Sequence, residues 1–164
     1  MAAHPHLEHV MGTLVDSTYS RRSDLAPLLH RSHQPPLRST LQFDGASVRG
    51  MIRRQSGAEQ VIDTTYALPF FDSGNWDLVL RALVLDGPES VRISVYDQNN
   101  GGQLWYRAEV GELERQGESG ALRRITAELG RSRATLWIDP ATRVAQRIEM
   151  EVGLGMLMRQ VRLP

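Results

Sequence analysis

The chain has no cysteine, no lysine, no net formal charge and no long apolar run. Each absence removes a class of function. Without thiols there is neither a disulfide framework nor a thiolate metal site, so stability rests on burial. Nineteen basic residues balance nineteen acidic ones, and the overall field that gathers nucleic acid or an anionic membrane is missing. No stretch approaches the roughly 20 apolar residues of a membrane-spanning helix, so no transmembrane segment is expected. The opening "MAAHPHLEHVMGTLV" lacks the basic region and apolar block of a signal peptide, and as it stands the chain is expected to be soluble and unexported. That all nineteen basic residues are arginine agrees with a GC-rich coding sequence, because they are spread along the whole chain.

What is present is period-two alternation, punctuated by turn residues about every 8–12 positions, the pattern of an antiparallel all-β domain. The 164 residues suffice for one domain with a sizeable core, read here as a flexible tail over 1–9 and a single β domain over 10–164. "HVMGTLVDSTY" reads as a first strand and "LLHRSH" as a brief pairing before Pro35 and Pro36. "LRSTLQF" and "SVRGMIRR" flank Asp44-Gly45, a strong hairpin signal because glycine accepts the positive φ of a primed turn. In the second of these strands Val48, Gly50 and Ile52 share one face, while Arg49, Met51 and Arg53 mark the solvated one. "AEQVIDTTYAL" follows as the next strand.

Between Pro69 and Pro88 the spacing changes. Asn75 as cap, Asp77 in the first turn and a stripe of Trp76, Val79, Leu80 and Leu83 predict a short helix over 76–83 packed on the sheet. Strands then resume with "SVRISVYD", "QLWYRAEVGE", "ALRRITAEL", "RATLWID", "VAQRIEMEV" and "GMLMRQVRL". The expected fold class is therefore mainly β with one short covering helix.

The run of pieces from "SDLAPLLHRSHQPP" through "LVLRAL" at 78–83 to "LWIDPATR.AQRIE" at 136–149 resembles bacterial half-barrel domains of unknown function related to the lipoprotein carrier LolA and the mycobacterial lipoprotein LppX. The resemblance spans about residues 20–153. It implies a strongly curved antiparallel sheet, a half-barrel with an apolar concave face, and a place in the periplasm or cell envelope. It carries no catalytic residue.

The late hairpin gives that implication a physical form. Val144, Ile148, Met150 and Val152 point one way, Arg147, Glu149 and Glu151 point to water, and Leu136 and Ile138 on the partner strand line the apolar side. With Val91, Ile93 and Val95 of an earlier strand, Leu136, Ile138, Ile148, Met150 and Val152 are the candidate ligand-binding residues. A curved sheet of about eight or nine strands exposes more apolar surface than one short helix covers, and such surface marks a site for a ligand or a partner. Met150, Met156 and Met158 add adaptable side chains. The expected partner is an acyl chain or another lipophilic small molecule, bound without catalysis; the alternative is a structural or protein-interaction module of the cell envelope with a self-filled core and a pairing edge strand.

Reactive constellations are few. His4, His6 and His9 near Glu8 have metal-like spacing but sit at the frayed start, and His30 and His33 in "HRSH" have no acidic neighbour in their local segment, so an exposed edge or turn is expected there. Asp72, Asp77 and Asp139 are explained by capping and turn formation. There is no nucleophile elbow, zinc-protease helix, phosphate loop or dinucleotide fingerprint, and no catalytic residue, metal or cofactor is assigned. Trp105 and Tyr106 point to opposite faces and form no stacking platform, which speaks against nucleic acid or glycan.

Overall fold

The computed structural model describes residues 15–34, 36–83, 86–115, 120–152 and 156–162. Its strands are β1 (Val15–Ser20), β2 (Pro27–Gln34), β3 (Leu37–Asp44), β4 (Ser47–Arg54), β5 (Glu59–Thr65), β6 (Phe71–Asp72), β7 (Glu89–Asp97), β8 (Gly102–Arg115), β9 (Ala121–Leu129), β10 (Ser132–Ile138), β11 (Ala145–Val152) and β12 (Met156–Val161). A 3₁₀ turn at Ser73–Asn75 leads into the helix α1 (Trp76–Arg81). The protein is mainly β with one short α-helix among the described residues, as the alternation implied. The strands form two sheets, one of five in the order β1-β2-β3-β4-β5 and one of seven in the order β12-β11-β10-β9-β8-β7-β6. The chain likewise divides into two compact units: one holds the described residues to Gly74 and Asp97–Gly102, the other Asn75–Tyr96 and the residues from Gln103 onward.

In the first unit, β3 and β4 form the hairpin announced by Asp44-Gly45. Asp44 pairs with Ser47, so the two loop residues are Gly45 and Ala46, and the positive φ of Gly45 (59°) falls at the first loop position, where a primed turn calls for glycine. Leu41, Phe43, Val48, Ile52 and Ile62 fill the buried face, while Arg49, Met51 and Arg53 are exposed on the other. Phe70 packs edge-on against Phe43 and Tyr66, with ring centroids 5.8 and 5.7 Å away. Gly50 sits opposite Leu41 at φ 148°, and a Cβ there would fall 2.0 Å from the carbonyl oxygen of Thr40, so no larger residue fits this backbone.

"LLHRSH" is a full strand rather than a brief pairing. Its register against β1 slips between Tyr19, which faces Leu29, and Ser20, which faces Pro27, so Leu28 is the extra residue of a bulge and is exposed. That slip leaves His30 and Ser32, rather than a leucine, on the buried side.

In the second unit, β9 and β11 flank β10, and Ala127, Ala134, Ile125, Leu136 and Ile138 close one face. The helix spans 76–81, two residues shorter than expected, and buries Val79 and Leu80. Asn75 occupies the N-cap without a side-chain capping bond, and Asp77 pairs with Arg81 one turn on at 2.7 Å. The β10–β11 turn is held by Asp139, whose Oδ1 accepts the amides of Ala141 (2.9 Å) and Thr142 (3.3 Å). From the same turn, the Arg143 guanidinium donates to the carbonyl of Leu83 just past the helix.

Candidate functional site

The candidate ligand face is built from cross-strand pairs. Directly opposed residues in antiparallel strands share a face, so Leu136 and Ile148, Ala134 and Met150, and then Met150 and Met158 define one continuous row-by-row surface across β10, β11 and β12. Burial falls along it. Leu136 and Ile138 have no exposed surface, Ile148 and Met150 are half-buried, and Met158 and Met156 are 56% and 59% exposed. Among the described residues β12 is the edge of its sheet, with no strand beyond it.

The eight candidate residues lie on three strands of the seven-stranded sheet, β7, β10 and β11. Ile148 faces Leu136 and Met150 faces Ala134, Ile138 faces Ala145 beyond a shift in register, and Val152 pairs with Met156, although its side chain lies outside the described residues. Val91, Ile93 and Val95 are on β7, separated from β10 by β8 and β9. Ile93 and Val95 are buried and Val91 is half-buried. The seven candidates other than Val152 line neither of two clefts on the five-stranded unit, of about 370 and 320 Å³.

His30 is not at an exposed turn. It is a core residue, 1% exposed, and its Nδ1 lies 2.7 Å from Oδ2 of Asp72, itself 2% exposed. Thr18 Oγ1 donates to the same carboxylate oxygen at 3.0 Å and lies 3.2 Å from Nδ1. The other Asp72 oxygen accepts the Gly74 amide at 3.0 Å, and Asp16 Oδ1 stands 3.5 Å from His30 Nε2. Burial works against a charged imidazole, but the bond to Asp72, its charge and that of Asp16 outweigh it and raise the His30 pKa above 6.5. The Asp16 carboxyl is also raised, first by burial, with His30 opposing and Asp72 adding to the shift. His30 is thus enclosed with two carboxylates and a hydroxyl, away from solvent. His33, one residue beyond Ser32, is half-buried on the opposite face. His4, His6, His9 and Glu8 lie outside the described residues.

Sequence reading missed this cluster because Asp72 is 42 residues from His30. The one local signal was an alternating histidine and serine on a strand whose other face carries Arg31.

Among the described residues no helix is long and apolar enough to cross a membrane, and no group of three or more histidines and acidic residues is placed to hold a metal ion. Trp105 is exposed under the Arg92 guanidinium at 4.8 Å, and Tyr106 is buried. The chain belongs to a family of proteins of unknown function, DUF3108, whose profile matches residues 8–159. No curated protein and no solved structure matches it.

Proposed function

We propose that this DUF3108 protein binds an acyl chain or another lipophilic molecule without catalysis, on the apolar face shared by β10, β11 and β12. The observation that carries this reading is the burial gradient from Leu136, which has no exposed surface, through Ile148 and Met150 to Met158 and Met156. An apolar strip whose inner end is sealed and whose outer end is open gives a lipophilic guest a wall to lie against. Each methylene so covered contributes about 0.8 kcal/mol. The methionines adapt to irregular guests, and Gln160, which faces Ile148, is the polar neighbour beside them, which implies loose chemical selectivity. The resemblance to LolA-like and LppX-like half-barrels supports the same reading by analogy of fold, and with it a periplasmic or envelope location.

A second reading draws on a different feature of the same strand. β12 is a sheet edge that exposes Met156, Leu157, Met158 and Val161 on both its faces, which suits pairing with a strand of an envelope protein.

Organic extraction of natively expressed protein, with mass spectrometry of the extract, tests the first reading. A stoichiometric lipid that is lost from a folded Met150→Arg variant supports it. An empty extract, together with no binding of a fluorescent fatty acid by the wild type, removes the carrier and leaves the edge-pairing module.

A further inference from the structure

The outer face of the five-stranded sheet carries an imbalance of charge that the reading above does not use. Register places Val15, His33, Arg38, Arg53 and Glu59 in one row across β1 to β5, and Ser17, Arg31, Thr40, Met51 and Val61 in the next. In the following row Arg49 faces Asp63. The carboxylates of this face are engaged: Glu59 pairs with Arg53 at 2.5 Å and Asp63 with Arg49 at 3.0 Å. Arg31 and Arg38 form no ion pair or hydrogen bond among the described residues. Arg38 moreover has Arg53 directly opposite on one side and His33 on the other, and like charges facing each other across a sheet destabilise it unless an anion intervenes.

Two clefts meet at this position. The larger, about 370 Å³, is lined by Arg31 and Thr40 with Val15 and Met51 as apolar wall; the other, about 320 Å³, extends past Leu37 toward Arg54. His33, Arg38 and Arg53 line both. From this convergence we infer that the cleft around Arg31 and Arg38 binds a phosphate monoester carrying a short apolar substituent. Two guanidinium forks without carboxylate partners among the described residues match a dianion better than a single carboxylate, and each fork donates two parallel N–H bonds to phosphate oxygens. Thr40 faces Arg31 across the strands and shares its face with Arg38 two residues away, and Val15 and Met51 meet the substituent. Neutral net charge does not oppose this, since the imbalance is local to one face.

The test uses the full chain at low ionic strength, where exposed charges are least screened. Inorganic phosphate and hexyl phosphate are titrated calorimetrically into wild type, Arg31→Gln, Arg38→Gln and the control Arg107→Gln, whose exposed arginine lies on β8. The expected result is one saturable site, hexyl phosphate binding tighter than phosphate, and a loss of about tenfold in each of the first two variants but not in the control. Co-sedimentation with phosphatidylcholine vesicles containing phosphatidic acid then assigns the source: capture that Arg38→Gln abolishes points to a lipid headgroup, and its absence with hexyl phosphate binding retained points to a soluble ester. No saturable phosphate binding by the wild type, or unchanged affinity in both Arg31→Gln and Arg38→Gln, overturns the proposal. All three substitutions are at exposed positions, and matching circular dichroism spectra verify the fold.

Discussion

His30 and Asp72 meet at 2.7 Å with almost no surface left to solvent on either side chain. The pair is costly to break from one side, because the remaining carboxylate keeps its burial and loses its partner. His30→Gln is expected to destabilise the fold by about 3 kcal/mol or more. The pH dependence has a definite sign. The folded His30 pKa is raised above the unfolded 6.5, so its contribution is complete below that value and is lost as pH rises through the folded pKa. Asp16, also raised, acts in the same direction in the acid range. Urea unfolding of the wild type should therefore give a free energy that declines as pH rises above about 6.5. NMR titration of the His30 ring provides the independent check, and a midpoint at or below 6.5 would refute the assignment.

Gly50 offers a sharper stereochemical test. At φ 148° and with the Thr40 carbonyl 2.0 Å from where a Cβ would sit, Gly50→Ala must displace backbone rather than a side-chain tip. The strained conformation and the overlap together predict a loss of about 3 kcal/mol or more. Gly45→Ala, at φ 59° with open space around it, should cost only about 1–2 kcal/mol. Comparing the two midpoints in urea separates crowding from backbone conformation; equal losses would mean that β3 and β4 do not approach as closely at Gly50 as described.

Trp137 joins two charged neighbours into one local assembly. Its indole N–H donates to Glu114 Oε2 at 3.0 Å, and the Arg147 guanidinium lies 4.3 Å from the ring centre. Arg147→Met keeps the stem and removes the charge, so the expected cost is about 1 kcal/mol, accompanied by a change in tryptophan emission. A variant with wild-type stability and an unchanged spectrum would remove the stacked cation from the account.

Much of this fold was legible as local pattern. The alternation of "SVRGMIRR" correctly separated buried Val48 and Ile52 from exposed Arg49 and Arg53, and Trp76, Val79 and Leu80 marked the helix. The distribution of the strands over two sheets was not legible, because a period of two identifies a strand without naming its neighbours. His30 was read as exposed for a related reason. The bulge at Leu28 changes which side chains of β2 face inward, and the acid that stabilises the histidine arrives from another strand 42 residues away. The outer-face arginines were visible individually, but only register shows that Arg38 lies between His33 and Arg53.

The burial gradient across β10, β11 and β12 predicts a gradient of mutational cost. Leu136→Ala removes a sealed side chain and should cost about 2–5 kcal/mol, the range for emptying part of a core. Met158→Ala, at a position more than half exposed, should stay within about 0.5 kcal/mol of wild type. Met150→Ala, half-buried between them, should fall in the interval. Urea denaturation of the three variants at one pH measures the series directly. If Met158→Ala proves as damaging as Leu136→Ala, the outer end of the strip is covered by the protein itself, and a guest has no surface there to occupy. If the series holds while a bound fatty acid raises the unfolding midpoint of wild type but not of Met150→Arg, the open end of the strip is where the ligand lies, since only binding to the folded state shifts the midpoint in this way.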